Sequence, residues 1–479
     1  MIAWRMVVDF WIKPVRAEPL ALMRIMVGLC VLASALTTVL PNLRQFWFDD
    51  GWIPTAVADS VMSWNDRFSV LAGVTSPAAV VAWFVVWIVA LLGVIAGVFT
   101  RVACGVAWLM TLSFNMRAFY TLNGGDDVAV MLLFYLMLAP AGAAWSVDAL
   151  RRHMKQYRQP ESGFESPGPR QAPSPAMIAP WAVRLMQIQL VLIYFLNGIN
   201  KLNMVEVDGR WSNDYLDGVA VYWAMHDLTL TRWSFAQFPM PLIVCKVLSW
   251  ATLVFEIGFP LLVLARRLRP MLLIAGVFFH LGIFITMEIA WFGQMTLCYY
   301  PVFLSAALVS RLPAWLAGGK RGVKYRVCYD TFCPICRRSR WLLEGLDAGR
   351  RLAFRDIHDR QGMAREAPGV SYARALSEMI VIAPNGRTAG GFDAFRLIAR
   401  VLPALWPVLP LLYVPGAAWI GRRVYKWVAK NRYRLVKCDG VCSLHLMALS
   451  RPNLSEEEIA RVVTAARAAA SATSAAGGN

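Results

Sequence analysis

Long apolar runs in the first two thirds of the sequence are the feature that most constrains its fold. A helix that crosses a membrane needs about 20 apolar residues in succession, because hydrocarbon offers its backbone no hydrogen-bond partners. Hydrophobic residues make up 58% of the 479 residues and charged residues only 16%, which excludes a disordered chain and an ordinary soluble enzyme. Eight runs approach the required length and are predicted to be spans: 19–40, 76–100, 102–120, 127–144, 181–200, 245–265, 270–288 and 290–310.

The net charge of +18 is interpreted as a signal of membrane topology. Lys and Arg concentrate in the cytoplasmic loops of membrane proteins, so a basic composition does not by itself indicate a nucleic-acid partner. If the N-terminus is cytoplasmic, the basic clusters at 151–158 and 266–269 also fall on the cytoplasmic side. An even number of spans then places both termini in the cytoplasm. The sequence therefore predicts an inner-membrane protein with lipid, and not nucleic acid, as a partner.

Changes in composition divide the chain into segments. The loop at 159–180 is rich in Pro, Ser and Gly, which favours a flexible linker between two halves of the bundle. The predicted domains are a membrane domain at 1–312, a linker at 313–322, a second domain at 323–450, and a helix with a disordered tail at 451–479.

The fifth run carries a polar stripe along one side of its predicted helix, Trp181–Leu202. At 100° per residue, Gln187, Tyr194 and Lys201 fall within about 60° of one another, and Asn197 lies at the edge of the stripe. Such a stripe must face protein or water, because lipid cannot satisfy it. Two interpretations of Lys201 stay open: a lysine that reaches the membrane interface from the helix end, or a desolvated base that loses its proton near neutral pH.

Two other polar residues lie inside predicted spans. Glu256 in the sixth run is interpreted as a proton carrier or an ion-pair partner of Lys201, because carboxylates inside membranes are costly and usually functional. His280, near the middle of the seventh run, is interpreted either as a packing residue or as part of a binding pocket.

The segment around Lys201 resembles a known family. YFLNGINKL, followed by Trp211, is similar to the membrane core of the vitamin K-dependent γ-glutamyl carboxylases, the horizontally transferred transmembrane (HTTM) domain. WSVD at 145–148 and Phe278-Phe279-His280, followed by WFGQMTLCYY, fit the same pattern, whereas Asn200 replaces a paired lysine of the carboxylases.

This resemblance implies a catalytic role for Lys201, because the lysine of this segment deprotonates reduced vitamin K in that family. It implies a quinol or quinone cofactor and, since the domain also occurs in bacterial proteins that mature peptides, a peptide or protein substrate in a bacterial inner membrane. The expected pocket consists of Gln187, Tyr194, Asn197, Trp211, Glu256 and His280.

A CxxC sequence begins the second domain. Residues 323–330 alternate like a short strand, and Cys333-Pro334-Ile335-Cys336 then leads into a helical run. A strand, a CxxC and a helix in this order are typical of thioredoxin-type redox proteins. A thiol at a helix N-terminus is more acidic than usual, so Cys333 is predicted to attack and Cys336 to resolve.

The second domain resembles the DCC family of thiol-disulfide oxidoreductases. YDTFCPIC is similar to the YDGxCxxC signature of that family, with Thr331 in the place of glycine, and FRDI at 354–357 and GGFDAF at 390–395 also fit. The resemblance covers about 323–435. It implies a redox-active disulfide at Cys333 and Cys336 that exchanges electrons with cellular thiol reductants.

Two alternatives concern Cys438 and Cys442. They could complete a four-cysteine zinc site with the CxxC, with His445 nearby, although the pairs are about 100 residues apart and differ in spacing. They could instead form a secondary dithiol. The sequence favours a dithiol over zinc, and no metal site is predicted.

Together these observations predict a polytopic α-helical membrane bundle of about eight spans with a C-terminal α/β thioredoxin-like domain. The predicted function is a membrane redox enzyme that couples a carboxylase-like intramembrane site to a thiol-disulfide oxidoreductase module. The alternative is a non-catalytic membrane scaffold for the maturation of a secreted peptide, with a redox-sensing or zinc-binding CxxC.

Overall fold

A computed structural model describes residues 8–61, 68–158, 175–207, 210–233, 235, 237, 239–319, 324–331, 333–435 and 461. These residues divide into two compact units. The first, called the bundle, holds the described residues up to Asp148 together with Pro175–Val309. The second, called the C-terminal unit, holds the described residues of 149–158 and those from Ser310 onward. Most of the linker predicted at 159–180, and the tail predicted after 451 except for residue 461, lie outside the described residues.

Helices dominate the chain up to residue 319. The α-helices are α1 (Glu18–Ser34), α2 (Leu43–Trp47), α3 (Thr55–Val61), α4 (Pro77–Ala96), α5 (Thr100–Arg117), α6 (Gly124–Leu138), α7 (Val147–Arg158), α8 (Trp181–Asn200), α9 (Ala220–His226), α10 (Leu242–Leu262), α11 (Arg269–Thr286), α12 (Phe292–Leu297), α13 (Ala306–Val309) and α14 (Leu312–Leu316). Two short antiparallel ribbons pair β1 (Val15–Arg16) with β2 (Met177–Ile178), and β3 (Val205–Val207) with β4 (Arg210–Ser212).

Five helical segments among the described residues are long and apolar enough to cross a membrane. They correspond to five of the eight predicted spans, and the chain is an integral membrane protein. The segments are Glu18–Trp47, Pro77–Ala96, Trp181–Asn200, Leu242–Leu262 and Arg269–Thr286.

The other three predicted spans differ for identifiable reasons. α5 carries Arg101, Asn115 and Arg117, which lower its mean hydropathy. α6 has only 15 residues and is about 22 Å long, shorter than the roughly 30 Å of hydrocarbon. The run predicted at 290–310 bends by 106° between Phe292–Phe303 and Ala306–Leu316.

A second bent pair occurs in the proline-rich stretch at 401–420. There Pro403–Tyr413 and Ala417–Arg432 meet at 108°. By length and composition, the described part of the chain therefore contains five candidate spans, or up to seven if each bent pair is one span.

A close approach between α8 and α10 positions the polar residues of the bundle. A Cβ atom on Gly198 of α8 would lie 2.8 Å from Ile257 Cγ1 and 3.3 Å from the carbonyl carbon of Glu256 on α10. Small residues let membrane helices pack with their backbones near each other. Glycine at this position therefore brings Glu256 against the polar side of α8.

The C-terminal unit contains a four-stranded mixed sheet. Its strands are β5 (Tyr325–Tyr329), β6 (Leu352–Asp356), β7 (Ile380–Ile382) and β8 (Thr388–Gly390), in the spatial order β6-β5-β7-β8. β5 and β6 are parallel, whereas β7 is antiparallel to both β5 and β8. The helices of this part of the chain are α15 (Pro334–Leu346), α16 (Arg360–Glu366), α17 (Tyr372–Ser377), α18 (Gly391–Val401), α19 (Leu409–Tyr413) and α20 (Ala417–Leu435).

Alternation along the strands gives this sheet two apolar faces. Val327 of β5 packs with residues of α15 and α18, including Leu343 and Ile398. Its neighbour Cys328 points to the opposite face and packs with residues of α16 and α17, including Ala375. Successive side chains of a strand alternate between faces, so the sheet is covered by helices on both sides.

Candidate functional site

The CxxC lies at the start of α15, directly after β5. Cys333 is the N-cap residue, with an extended backbone at φ −81° and ψ 117°, and its Sγ accepts a hydrogen bond from the backbone N–H of Cys336 at 3.4 Å. Pro334 occupies the first helical position, where a missing N–H costs no hydrogen bond. The sequence Cys-Pro-x-Cys therefore forms a helix start with the first sulfur against the unpaired backbone donors.

The two thiols of the CxxC differ in acidity. A hydrogen bond from Cys336 lowers the pKa of Cys333 below its ordinary value, and Arg432 lowers it further, against the effects of burial and of the Asp330 charge. The pKa of Cys336 is raised, first by its hydrogen bond to Cys333 and then by burial. Cys333 is thus the thiol that carries negative charge more readily.

Both residues of the CxxC are covered by their surroundings. Cys333 is fully buried, whereas Cys336 is half-buried. Because Cys333 is fully covered, a substrate disulfide reaches its sulfur only after neighbouring side chains move.

A chain of buried polar side chains lies beside the CxxC. His358 Nε2 is 3.0 Å from Asp330 Oδ1, and His358 Nδ1 is 3.0 Å from the hydroxyl of Tyr372. The side chains of His358 and Asp330 are 0% and 1% exposed. On its other oxygen, Asp330 faces Arg432 Nη2 at 3.6 Å. A carboxylate in this position can accept a proton from a neighbouring thiol and share it with the histidine.

The sequence analysis did not predict the contacts of Asp330, His358 and Tyr372, although the positions of Asp330 and His358 after their strands indicate them. Asp330 directly follows β5, and His358 comes two residues after the end of β6. β5 and β6 are parallel neighbours, so their carboxyl ends meet at one edge of the sheet. An Asp and a His within two residues of the ends of two adjacent parallel strands predict such a contact once the strand order is known.

The zinc alternative involves residues that the structure does not describe. Cys438, Cys442 and His445 lie outside the described residues. Within the described part of the chain, no group of three or more His, Cys, Asp or Glu side chains is arranged to hold a metal ion.

In the bundle, Lys201 and Glu256 form an ion pair. Lys201 is the residue directly after α8, and its Nζ donates a hydrogen bond to Glu256 Oε2 of α10 at 2.6 Å. Their side chains are 23% and 6% exposed. The same ammonium lies 5.5 Å from the centre of the Tyr215 ring. The contact satisfies both charges within the bundle, where lipid offers neither of them a partner.

Tyr194 and His280 form a second polar contact within the bundle. The Tyr194 hydroxyl lies 2.7 Å from His280 Nε2 and 2.9 Å from the Tyr300 hydroxyl. Tyr194 and His280 are both 2% exposed. His280 Nδ1 has no hydrogen-bond partner within the described residues and faces Gly293, where an added Cβ atom would lie 3.4 Å from it. Gly293 in turn lines a small cleft at the end of α11.

The remaining residues of the predicted pocket take separate positions. Gln187 donates from Nε2 to the carbonyl of Val302 at 2.6 Å and accepts from Arg184 at 2.9 Å, about two turns of α8 away from Tyr194. Asn197 is half-buried on α8, and Trp211 is 66% exposed on β4.

Two domain families match the chain. Residues 169–307 match the HTTM domain, and residues 327–438 match the DCC1-like thiol-disulfide oxidoreductases. The first match contains Lys201, Glu256 and His280, and the second contains the CxxC. No curated protein and no solved structure matches the chain. The chain is therefore a fusion of an HTTM domain with a DCC1-like thiol-disulfide oxidoreductase domain.

Proposed function

We propose that the chain is a membrane-bound thiol-disulfide oxidoreductase in which Cys333 and Cys336 form the redox-active dithiol. The observation that carries the proposal is the position of Cys333 at the N-cap of α15, with its Sγ on the Cys336 N–H and a buried Asp330–His358 pair beside it. A helix start stabilises a thiolate, and a nearby carboxylate removes the proton of the second thiol.

The reaction follows from these positions. The Cys333 thiolate attacks one sulfur of a substrate disulfide, forming a mixed disulfide and releasing the first substrate thiolate, which takes a proton from solvent. Cys336 passes its proton to Asp330 and attacks the Cys333 sulfur. This second step leaves a Cys333–Cys336 disulfide and expels the other substrate sulfur as a thiolate, which takes the proton back from Asp330 and departs as a thiol. Cellular thiol reductants restore the dithiol.

The fold of the C-terminal unit supports this assignment. A parallel β-α-β unit with CxxC at the start of its helix precedes an antiparallel hairpin and a further helix. Thioredoxin-like domains hold a dithiol in such an arrangement, which supports the proposal of a thioredoxin-like fold.

The bundle is proposed to bind a second, apolar substrate of the quinol class. The Lys201–Glu256 pair supplies a group that can take a proton from a ring hydroxyl, and Tyr194 with His280 supplies hydrogen bonds in an otherwise apolar interior. Proton removal by a positioned side chain contributes roughly 10²–10⁴-fold to a rate. The residues that carry this proposal are Lys201, Glu256, Tyr194 and His280, and Gln187 and Trp211 are not part of it.

Thiol-disulfide exchange by the purified full chain tests the main proposal. The wild type is expected to reduce a small aromatic disulfide in the presence of dithiothreitol, whereas Cys333→Ser is inactive. Cys336→Ser is expected to accumulate a mixed disulfide on Cys333, which mass spectrometry detects. Cys245→Ser changes a buried thiol of α10 and serves as the control.

Absence of exchange by the folded wild type would favour the scaffold alternative. Loss of quinol turnover while dithiol exchange persists would count against the quinol proposal and leave the oxidoreductase proposal standing. Lys201→Arg keeps the charge but cannot act as a base, so it removes turnover in the bundle and leaves dithiol exchange intact.

A further inference from the structure

Two cysteines that the proposed function does not use meet inside the bundle. Cys30 Sγ lies 3.6 Å from Cys298 Sγ, although the residues are 268 positions apart in sequence. Cys30 belongs to α1, and Cys298 directly follows α12. Disulfide-bonded sulfurs are about 2.05 Å apart, so the two atoms need to approach by only about 1.6 Å to form a bond.

The depth of the pair in the membrane restricts what can reach it. Cys30 is 12 residues beyond Glu18, the start of α1, and therefore about 18 Å along that helix. Cys30 therefore lies inside the apolar segment Glu18–Trp47, which is long enough to cross the roughly 30 Å of hydrocarbon. Glutathione and other charged thiols or disulfides do not enter this region at appreciable concentration.

The two sulfurs are also unequally accessible. Cys298 is fully buried, and its Sγ lies 3.3 Å from the carbonyl oxygen of Gln294, whereas Cys30 is half-buried beside Leu29, which is 50% exposed. Cys30 is therefore the sulfur that a molecule dissolved in the lipid reaches first, and Cys298 lies behind it.

We propose that Cys30 and Cys298 are a second redox-active dithiol, which reacts with uncharged disulfides dissolved in the lipid. Cys30 loses its proton and attacks one sulfur of the small disulfide, so the S–S bond breaks, and one half leaves as a thiol carrying that proton. Cys298 then attacks the Cys30 sulfur and displaces the other half, which leaves with the Cys298 proton. The small disulfide is reduced to two thiols, and the dithiol is oxidised to a Cys30–Cys298 disulfide that joins α1 to the segment after α12.

The test uses the full chain with Cys333→Ser and Cys336→Ser, reconstituted in lipid nanodiscs. Thiols that water reaches are first capped with a charged maleimide, and 2,2′-dipyridyl disulfide is then added as the uncharged probe. Mass spectrometry is expected to find a Cys30–Cys298 cross-link without any retained pyridyl group. Further replacement by Cys298→Ala is expected to leave a pyridylthio group on Cys30, because nothing displaces it, and Cys30→Ala is expected to leave Cys298 unlabelled.

Cys104→Ser, which changes a single buried thiol on α5, is the matched control and should leave the cross-link unchanged. A stable pyridylthio group on Cys30 in the parent chain would overturn the proposal, because it shows that Cys298 does not resolve. Lack of reaction at both residues would overturn it as well. Equally fast cross-linking by the charged reagent 5,5′-dithiobis(2-nitrobenzoate) would refute access from the lipid.

Discussion

The ion pair between Lys201 and Glu256 makes a prediction whose size follows from its geometry. At 2.6 Å and an effective dielectric constant of about 20, the attraction between unit charges is about 6 kcal/mol. Desolvation of two partly buried ions offsets several kcal/mol of this value. Removing one partner of a buried pair costs about 3–5 kcal/mol, and the 23% exposure of the Lys201 side chain reduces the cost, so each single replacement should destabilise the bundle by about 2–4 kcal/mol.

A double-mutant cycle separates the pair from the rest of its surroundings. Lys201→Met leaves an unpaired carboxylate, and Glu256→Leu leaves an unpaired ammonium, whereas the double variant leaves neither. The double variant is therefore expected to be more stable than the sum of the single losses predicts, by roughly 2 kcal/mol. The assay is denaturant unfolding of the full chain in one detergent, followed by the fluorescence of its tryptophans.

Glu288→Leu provides the matched control, because Glu288 is an exposed carboxylate just beyond the end of α11. It should change stability by less than about 0.5 kcal/mol. Additive losses in the double variant, within experimental error, would refute the ion pair. They would also remove the main support for a proton-accepting group in the bundle.

Two further predictions concern the dithiol. The lowered pKa of Cys333 means that its thiolate forms at a lower pH than the thiolates of Cys336 and Cys328, whose pKa values are raised. The pH midpoint of alkylation, followed by mass spectrometry, should therefore be lowest for Cys333. Preferential labelling of Cys336 or Cys328 at mildly acidic pH would contradict this order. Asp330→Asn removes a negative charge that raises the pKa of both thiols, so it should shift the Cys333 midpoint to lower pH still and also slow the release step by roughly 10²-fold. An unchanged pH midpoint together with lower protein stability would assign Asp330 a structural role alone.

The polar positions of the bundle could be predicted in part because membranes penalise unpaired charges. A lysine and a glutamate in two apolar helices have to find partners, and the sequence therefore suggested that Glu256 could pair with Lys201. The contact between Tyr194 and His280 depends on the rotation of α8 relative to α11, which periodicity within one helix does not determine. Gln187 lies on the same side of α8 as Tyr194, but it donates to the carbonyl of Val302, about two helical turns away from Tyr194. A stripe in the sequence shows which side of a helix a residue is on and does not show which residue of another segment it meets.

The number of spans was harder to predict than their existence. Apolar composition identifies a run but does not show where its helix ends. Pro301 lies in a 3₁₀ turn, where the missing N–H does not break a hydrogen bond, and the chain bends shortly after it. At 401–420 four prolines interrupt the apolar run, and the structure has a 3₁₀ turn, a short helix and a bend near Gly416, whose φ of +86° suits glycine.

The orientation of the chain decides the redox environment of Cys333 and provides the last prediction. Arg266, Arg267 and Arg269 cluster at the start of α11, and the rule that cations stay in the cytoplasm places this end of the helix inside the cell. If the C-terminal unit is also cytoplasmic, its dithiol faces a reducing glutathione pool and works as a donor of electrons. Reporter fusions at position 435, after the last described helix, should give a cytoplasmic signal, and fusions in the 266–268 loop serve as a control that should agree. A periplasmic signal at 435 with a cytoplasmic signal at 266–268 would place the dithiol in an oxidising compartment and reverse its direction of electron flow, because a disulfide is then the resting form.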